Sequence, residues 1–498
     1  TEAIQRTIDR LVFIRFLEDK GIEEAQIINL PGEKSAWRAF IALCGRLEPK
    51  YNGLVFKPHR ILDGKEFAPP DDKVFGGICE ELSDPSSPYD FNQIPIWILG
   101  SIYERFLGKV VHATDKRVKV EEKPEVRKAG GVYYTPEYIV RYIVTETVGK
   151  LIEGKSPKEI AEMAFADIAC GSGSFLIEVY GQLLAYHTLY YTGHPEAAGK
   201  DDVFLRDGHV HLTLKKKKEI LTNNIYGVDL DFQATEVTQL SLYLKLLEDA
   251  TMNEAHQFGM FKESILPDLK KNIVCGNSLV ESGMMQHTLF TDAAQADLRP
   301  LNFSEIFPVV FRKGGFDTIL GNPPWIDIKG LDPILVDYFF DRYSTVENRM
   351  NIYAVFMELG LSKLNSRGRL GFVTPSSFTT QSSYSKLRRL LLGEYRIINL
   401  VRLPDRVFVG VVAESIISIV TKEALPDPSV WVTVFDSSDR IDDITQSSPA
   451  FQRQVLQQNW RDAPDAVMNL FVTDEKKHLL DKIAQFSIPL QIVCDFSL

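Results

Sequence analysis

The sequence predicts an α/β fold in which a mixed, mostly parallel sheet is wound by helices and preceded by an all-helical region. Three observations predict it. From about residue 130 to 422, short apolar runs alternate with amphipathic stretches, as in a parallel sheet with crossover helices. Four of those runs stop at a glycine, aspartate or asparagine, the residues that let a strand end at a ligand-binding edge. Before residue 125 the periodicity is helical.

The N-terminal residues 2–20 place Ile4, Ile8, Leu11, Val12, Ile14 and Phe16 on one broad helical face, and Gly21 supplies the stop. A second helical pattern runs through "PIWILGSIYERFLGKVV" (95–111), after the turn-rich "APPDD" and "LSDPSSPYD". The charged "DKRVKVEEKPEVRKAGG" (115–131) marks a boundary, so residues 1–128 are read as a helical connector. Then come "FADIACGSG" as strand and glycine turn, "SFLIEVYGQLLAYHTLYY" as helix, and "NIYGVDLD", "NIVCGNSL", "FDTILGNPPW" and "RLGFVTPSSF" as strands. "IINLVRLP" and "ESIISIVTK" add strands and close a unit at 129–425. Residues 426–487 read as a C-terminal extension, and "IPLQIVCDFSL" (488–498) as the first strand of a further unit.

The chain has 498 residues, too many for one core at roughly 100–200 residues per domain. Its 45% hydrophobic and 25% charged fractions are those of an ordinary globular protein. No segment reaches the ~20 uncharged apolar residues that span a bilayer, and the opening residues lack a signal-peptide pattern. The five scattered cysteines form no C-x-x-C pair, which argues against a disulfide framework or structural zinc and fits the cytoplasm. A net charge of -11 disfavours a wholly basic nucleic-acid surface, but local clusters remain in "RGR" (367–369) and at Arg388 and Arg389. "HVH" (His209, His211) is two imidazoles without a third ligand and reads as a hairpin, so no metal site is expected.

In "DIACGSGSF" (167–175), Gly171 and Gly173 lie between a strand and its helix, where backbone N–H groups approach a nucleotide-like ligand. Asp167 at the strand end would repel a pyrophosphate and pair with an ammonium, which favours S-adenosylmethionine. A ribose-binding acid of a dinucleotide fold lies ~20 residues after the loop. Here Asp229 in "GVDLD" lies 56 residues beyond Gly173. Asp229 can accept both ribose hydroxyls, and Asn277 in "CGNSL" can bond the cofactor adenine. Strand-end capping is the competing role for both.

"GNPPW" (321–325) closes the fourth strand. An exocyclic adenine amine is a poor nucleophile because its lone pair is delocalised into the ring. The side-chain oxygen of Asn322 and the carbonyl of Pro323 can each accept one N–H and draw that lone pair out of conjugation. Consecutive prolines, Pro323 and Pro324, fix φ near -65° and hold the carbonyl without reorganisation. Trp325 offers a flat face for the base.

These motifs resemble the gamma-order N6-adenine DNA methyltransferases, most closely those of type IIG restriction-modification enzymes. "GGVYYTPEYIVRYIV" (130–144), "DIACGSGSF", "GVDLD", "GNSL" and "GNPPW" follow in that family's order, and the N-terminal helical segments are similar to its connector. The resemblance implies a Rossmann-like methyltransferase that binds S-adenosylmethionine and acts on double-stranded DNA by base flipping. It implies that Tyr134, Thr135 and Pro136 flank the methionine end of the cofactor and that Asp167, with Ala169, Gly171 and Gly173, binds its amino end. Asp229 and Leu230 would take the ribose side, and Asn277, Ser278 and Leu279 would lie near the cofactor adenine, with Asn322 at the reacting centre. Asn322, Pro323, Pro324 and Trp325 would hold the target base, with Phe408 as a second aromatic wall. Many relatives have Asp at position 277, where an amide accepts without charge assistance. The nuclease and target-recognition domains are expected on other parts of the same polypeptide. Two alternatives stay open: methylation of an RNA base or protein amide, and an inactive DNA-binding scaffold subunit.

Overall fold

The computed structural model describes residues 2–51, 55–59, 62, 69–83, 90–91, 93–98, 109–114, 117–122, 134–250, 265–281, 298–408, 413–423, 428–471, 479, 482–483 and 486. The expected start of a further unit at 488–498 and the proposed boundary at 129 lie outside them.

The chain begins with three helices, α1 (Glu2–Asp19), α2 (Ala36–Tyr51) and α3 (Asp72–Ser83). α1 buries Phe13, Ile14, Phe16 and Leu17, while Ile4 on the expected apolar face stays half exposed. Gly21, at φ +64°, ends the helix as its sequence predicts. Phe13 packs edge-on against Tyr51 and Phe56, and Trp37 against Phe75, so aromatic contacts close this small core.

After these helices comes an antiparallel hairpin, β1 (Lys109–Thr114) and β2 (Arg117–Glu122). "RVKVEE" alternates valine with charge, a period-2 signal that the overall charge of the segment conceals.

α4 (Glu137–Val144) leads through one π-helical turn, Thr145–Gly149, toward β3 (Phe165–Asp167) and α5 (Ser174–Gly193). The hairpin β4 (Val203–Arg206)–β5 (His209–Leu212) follows, with His209 and His211 in it. α6 (Leu214–Asn224), capped by Thr213, feeds β6 (Ile225–Asp229), and α7 (Phe232–Leu247), capped by Asp231, precedes β7 (Ile273–Cys275). β8 (Phe316–Gly321), α8 (Pro333–Arg342), α9 (Tyr353–Lys363), β9 (Leu364–Pro375), α10 (Ser385–Glu394), β10 (Arg396–Arg402) and β11 (Ser415–Thr421) complete the expected unit.

Among the described residues, nine strands, including β12 (Ser429–Val434) and β13 (Phe451–Leu456), form one sheet in the order β13-β12-β10-β11-β9-β8-β3-β6-β7. Residues read as an extension thus pair with the central sheet. β11 runs antiparallel to both neighbours, whereas β9, β8, β3, β6 and β7 are parallel to one another. The chain crosses from β3 to β6 on one side and later reaches β8 on the other. β3 is therefore the point where strand order reverses, and a ligand crevice opens there beyond the carboxyl ends. Among the described residues, no helix is long and apolar enough to cross a membrane.

Candidate active site

The register brings three of the sequence motifs to one edge. Ala166 pairs with Ile319 of β8, and Asp167 with Gly227 of β6, so Asp167, Asp229 and Gly321 finish neighbouring strands at the same end of the sheet. β7 adds the fourth: Asp229 pairs with Cys275, just ahead of Asn277.

Asp167 is buried, and its Oδ1 accepts the Ala169 N–H at 3.0 Å. Gly321 faces it at φ +153°. A Cβ at position 321 would stand 2.7 Å from Asp167 Oδ1, so only glycine lets the end of β8 lie flat against the acid. The sequence reading missed this role, although a glycine immediately before the asparagine was its signal.

The glycine turn is held from two directions. Gly171 N donates to Asp229 Oδ2 at 2.8 Å, and Thr238 Oγ1 on α7 donates to the Gly171 carbonyl at 2.8 Å. Gly173 adopts φ +85°, and a Cβ there would meet Thr238 Cγ2 at 2.8 Å. Thr238, fully buried, is thus a support that no motif announced.

Asp229 accepts the Asp231 N–H on its other oxygen at 2.8 Å. Burial pushes its carboxyl up to about 6, against the pull of those backbone donors. Each oxygen keeps a lone-pair direction for a hydroxyl, so the carboxylate fits a ribose diol. Leu230, half exposed, projects beside it, while Ser278 Oγ donates to the Ile168 carbonyl at 2.7 Å and ties the end of β7 to that of β3.

Two of the residues expected on the adenine side also have roles in the fold. Asn277 Oδ1 accepts the Leu279 N–H at 3.0 Å, a local turn in which the amide oxygen serves as a strand-end cap. Leu279 is 3% exposed and packs in the core. Arg299, which the sequence did not single out, reaches this edge: its Nη1 donates to the Leu230 carbonyl at 3.0 Å.

Asn322 is half buried, and its Nδ2 donates to Thr135 Oγ1 at 3.1 Å. Thr135 is 4% exposed, between half-buried Tyr134 and Pro136. Tyr134 stacks on Trp97 from the N-terminal region, with centroids 6.4 Å apart. Pro323 is buried, and Pro324 is half buried. The structure does bring Trp325 and Phe408 together, but their rings touch edge to face at 4.9 Å and 72°, with Trp325 7% and Phe408 2% exposed. A base enters between them only if the rings part.

The basic clusters lie elsewhere. Arg369 pairs with Thr318 near the start of β8, so "RGR" occupies the opposite edge of the sheet. Arg388 is wholly buried, its guanidinium spent on the carbonyls of Phe378, Gln381 and Asp465. Among the described residues, no group of three His, Cys, Asp or Glu side chains is placed to hold a metal.

Residues 223–408 match the family model "Eco57I restriction-modification methylase". The type II restriction enzyme and methyltransferase RM.Eco57I of Escherichia coli is 31% identical over 394 residues, which is 78% of this chain and 37% of that protein. A putative type II restriction enzyme and methyltransferase of Methanocaldococcus jannaschii is 22% identical, covering 84% of this chain and 48% of its own length. The chain therefore spans between a third and a half of these curated relatives. The type IIL restriction-modification enzyme MmeI, solved in complex with DNA, shares the fold over 91% of this chain and 57% of its own, at a TM-score of 0.58 and 16% identity. The chain is thus similar, over residues 223–408, to the Eco57I methylase family and, more widely, to proteins named as type II restriction enzymes and methyltransferases.

Proposed function

We propose that this chain transfers a methyl group from S-adenosylmethionine to the N6 amine of an adenine flipped out of double-stranded DNA, as the modification part of a restriction-modification enzyme. The observation that carries the reading is the meeting of Asp167, Asp229 and Asn322 at the one sheet edge where strand order reverses. The relatives whose names include restriction and methyl transfer support the same reading.

When bound, the cofactor supplies an electrophilic methyl on a sulfonium. The residues do the rest. Asp167 faces the ammonium end, where a buried carboxylate at the strand end can pair with the positive charge. Asp229 takes the ribose hydroxyls. Asn322 Oδ1 and the Pro323 carbonyl accept the two amine hydrogens of the target base, which localises its lone pair. The attacking nitrogen becomes cationic and releases its proton to water, so no strong general base is required.

Base extrusion costs a few kcal/mol, and stacking on an aromatic face returns roughly 1–3 kcal/mol. For this chain the return requires Trp325 and Phe408 to separate, since they touch in the absence of DNA. DNA binding should therefore change the emission of Trp325, and a Trp325→Phe variant should lose that change.

Asn322→Ala tests the whole reading. Methyl transfer to unmodified genomic DNA should fall by about a hundredfold or more, as for other single oxyanion-type contacts, with cofactor binding by calorimetry within about twofold. Undiminished transfer would remove Asn322 from the chemistry. The cytoplasmic location and the nuclease and recognition domains expected on the same polypeptide are part of this proposal; mass and sequence of the endogenous protein test the latter.

A further inference from the structure

A primary amide has two ends of nearly equal shape and opposite chemistry. The proposed reaction needs the oxygen of Asn322 toward the target amine. A flipped side chain would present its NH2 group to another NH2 group, two donors face to face. Nothing in the Asn-Pro-Pro corner itself chooses between the two rotamers, because the prolines fix main chain and not the asparagine χ2 angle.

The amide is held from 187 residues away in sequence, by the segment that enters α4. Thr135 Oγ1 accepts from Nδ2 of Asn322 at 3.1 Å. Thr135 is 4% exposed and β-branched, so its χ1 is restricted by its own shape and by packing. A hydroxyl can also donate, so what the held oxygen fixes is the position and plane of the amide, here with Nδ2 toward it. Oδ1 is then directed by planarity to the other side.

We propose that Thr135 is a positioning residue for methyl transfer, setting the rotamer of Asn322 so that its oxygen faces the substrate amine. This rests on the adenine-methylation reading and goes beyond it, because the resemblance places Thr135 at the methionine end of the cofactor and gives it no part in ordering the amide. The two assignments make different kinetic predictions. A cofactor contact is felt in cofactor affinity and vanishes at saturation. A contact that orders Asn322 is felt in the rate at saturating cofactor.

The test uses the full chain with tritiated S-adenosylmethionine and unmodified genomic DNA. Thr135→Val keeps the shape and removes the acceptor; kcat at saturating cofactor should fall about tenfold or more, the effect of one lost hydrogen bond in a reacting geometry. Thr135→Ser should restore the rate to within about threefold, since it keeps the oxygen. Thr135→Ala replaces the valine variant if that one fails to fold, with thermal denaturation as the check. A loss confined to cofactor affinity, with kcat unchanged, overturns the proposal, as does a valine variant as fast as the parent. If the parent itself transfers no methyl to DNA, the adenine reading fails and carries this inference with it.

Discussion

At the scale of single residues, the site depends on close approach and on one half-buried acid. Gly321→Ala puts a methyl group 2.7 Å from Asp167 Oδ1. The strand end must retreat or the acid must turn, and either displaces the group that faces the cofactor. Cofactor affinity should fall about tenfold or more, and stability by roughly 1–3 kcal/mol; calorimetry and urea denaturation read the two losses separately. For Asp229, the folded pKa of about 6 lies above its unfolded value of ~3.9. The folded protein therefore holds the extra proton between those values. The stability that goes with it is present at low pH and is lost as pH rises through 6. The proposed ribose binding has the opposite sign, because it would use the ionised form. Cofactor affinity should rise as pH increases from 5 to about 7, and Asp229→Asn should flatten that rise while melting higher than the parent at pH 8. A variant that keeps the parent's pH profile would assign the dependence to another group.

At the scale of elements, strand ends were the legible part. Asp167, Asp229 and Asn322 stand out because glycine, aspartate and asparagine after an apolar run have few other reasons to occur together. The supports behind them were not legible. Thr238 is one of several polar residues along α7, and only folding brings it 2.8 Å from the Gly171 carbonyl. β12 and β13 lie in the stretch read as an extension, and their membership of the sheet is a matter of pairing at long range, which local periodicity does not encode. Arg388 shows the same limit from the other side: "KLRRL" reads as an exposed basic stretch, yet the helix turns one arginine inward and leaves Arg389 outside. That inward guanidinium holds α10 to the turns at 376–381 and 464–466. Arg388→Met would strip donors from three carbonyls and should cost about 3–5 kcal/mol, whereas Arg389→Met should change stability by less than about 0.5 kcal/mol. Equal effects in chemical denaturation would refute the assignment.

At the scale of the molecule, the helical region and the α/β unit share one hydrophobic core, and specific polar and aromatic contacts tie them together as well. Ile265 N donates to the Lys50 carbonyl at 3.2 Å, and Trp97 stacks on Tyr134. The main polar tie is the ion pair between Arg6 of α1 and Glu236 of α7. Their side chains are 11% and 7% exposed, so solvent does little to screen either charge. Burial raises the Glu236 carboxyl, and the Arg6 guanidinium pulls it back down. α7 also carries Thr238, two residues on, which holds the glycine turn. A disturbance at Arg6 is therefore two residues along α7 from the support of the glycine turn. Arg6→Ala strands a buried carboxylate and should cost about 3–5 kcal/mol, while Arg6→Ala with Glu236→Gln should recover a large part of it, since no charge is then left unpaired. If the two regions fold as one unit, denaturation of both variants stays a single transition and cofactor affinity falls with Arg6→Ala alone. An early, separate transition that leaves cofactor binding intact would show instead that the helices are only tethered to the sheet, and that the pair at Arg6 and Glu236 does not reach the site.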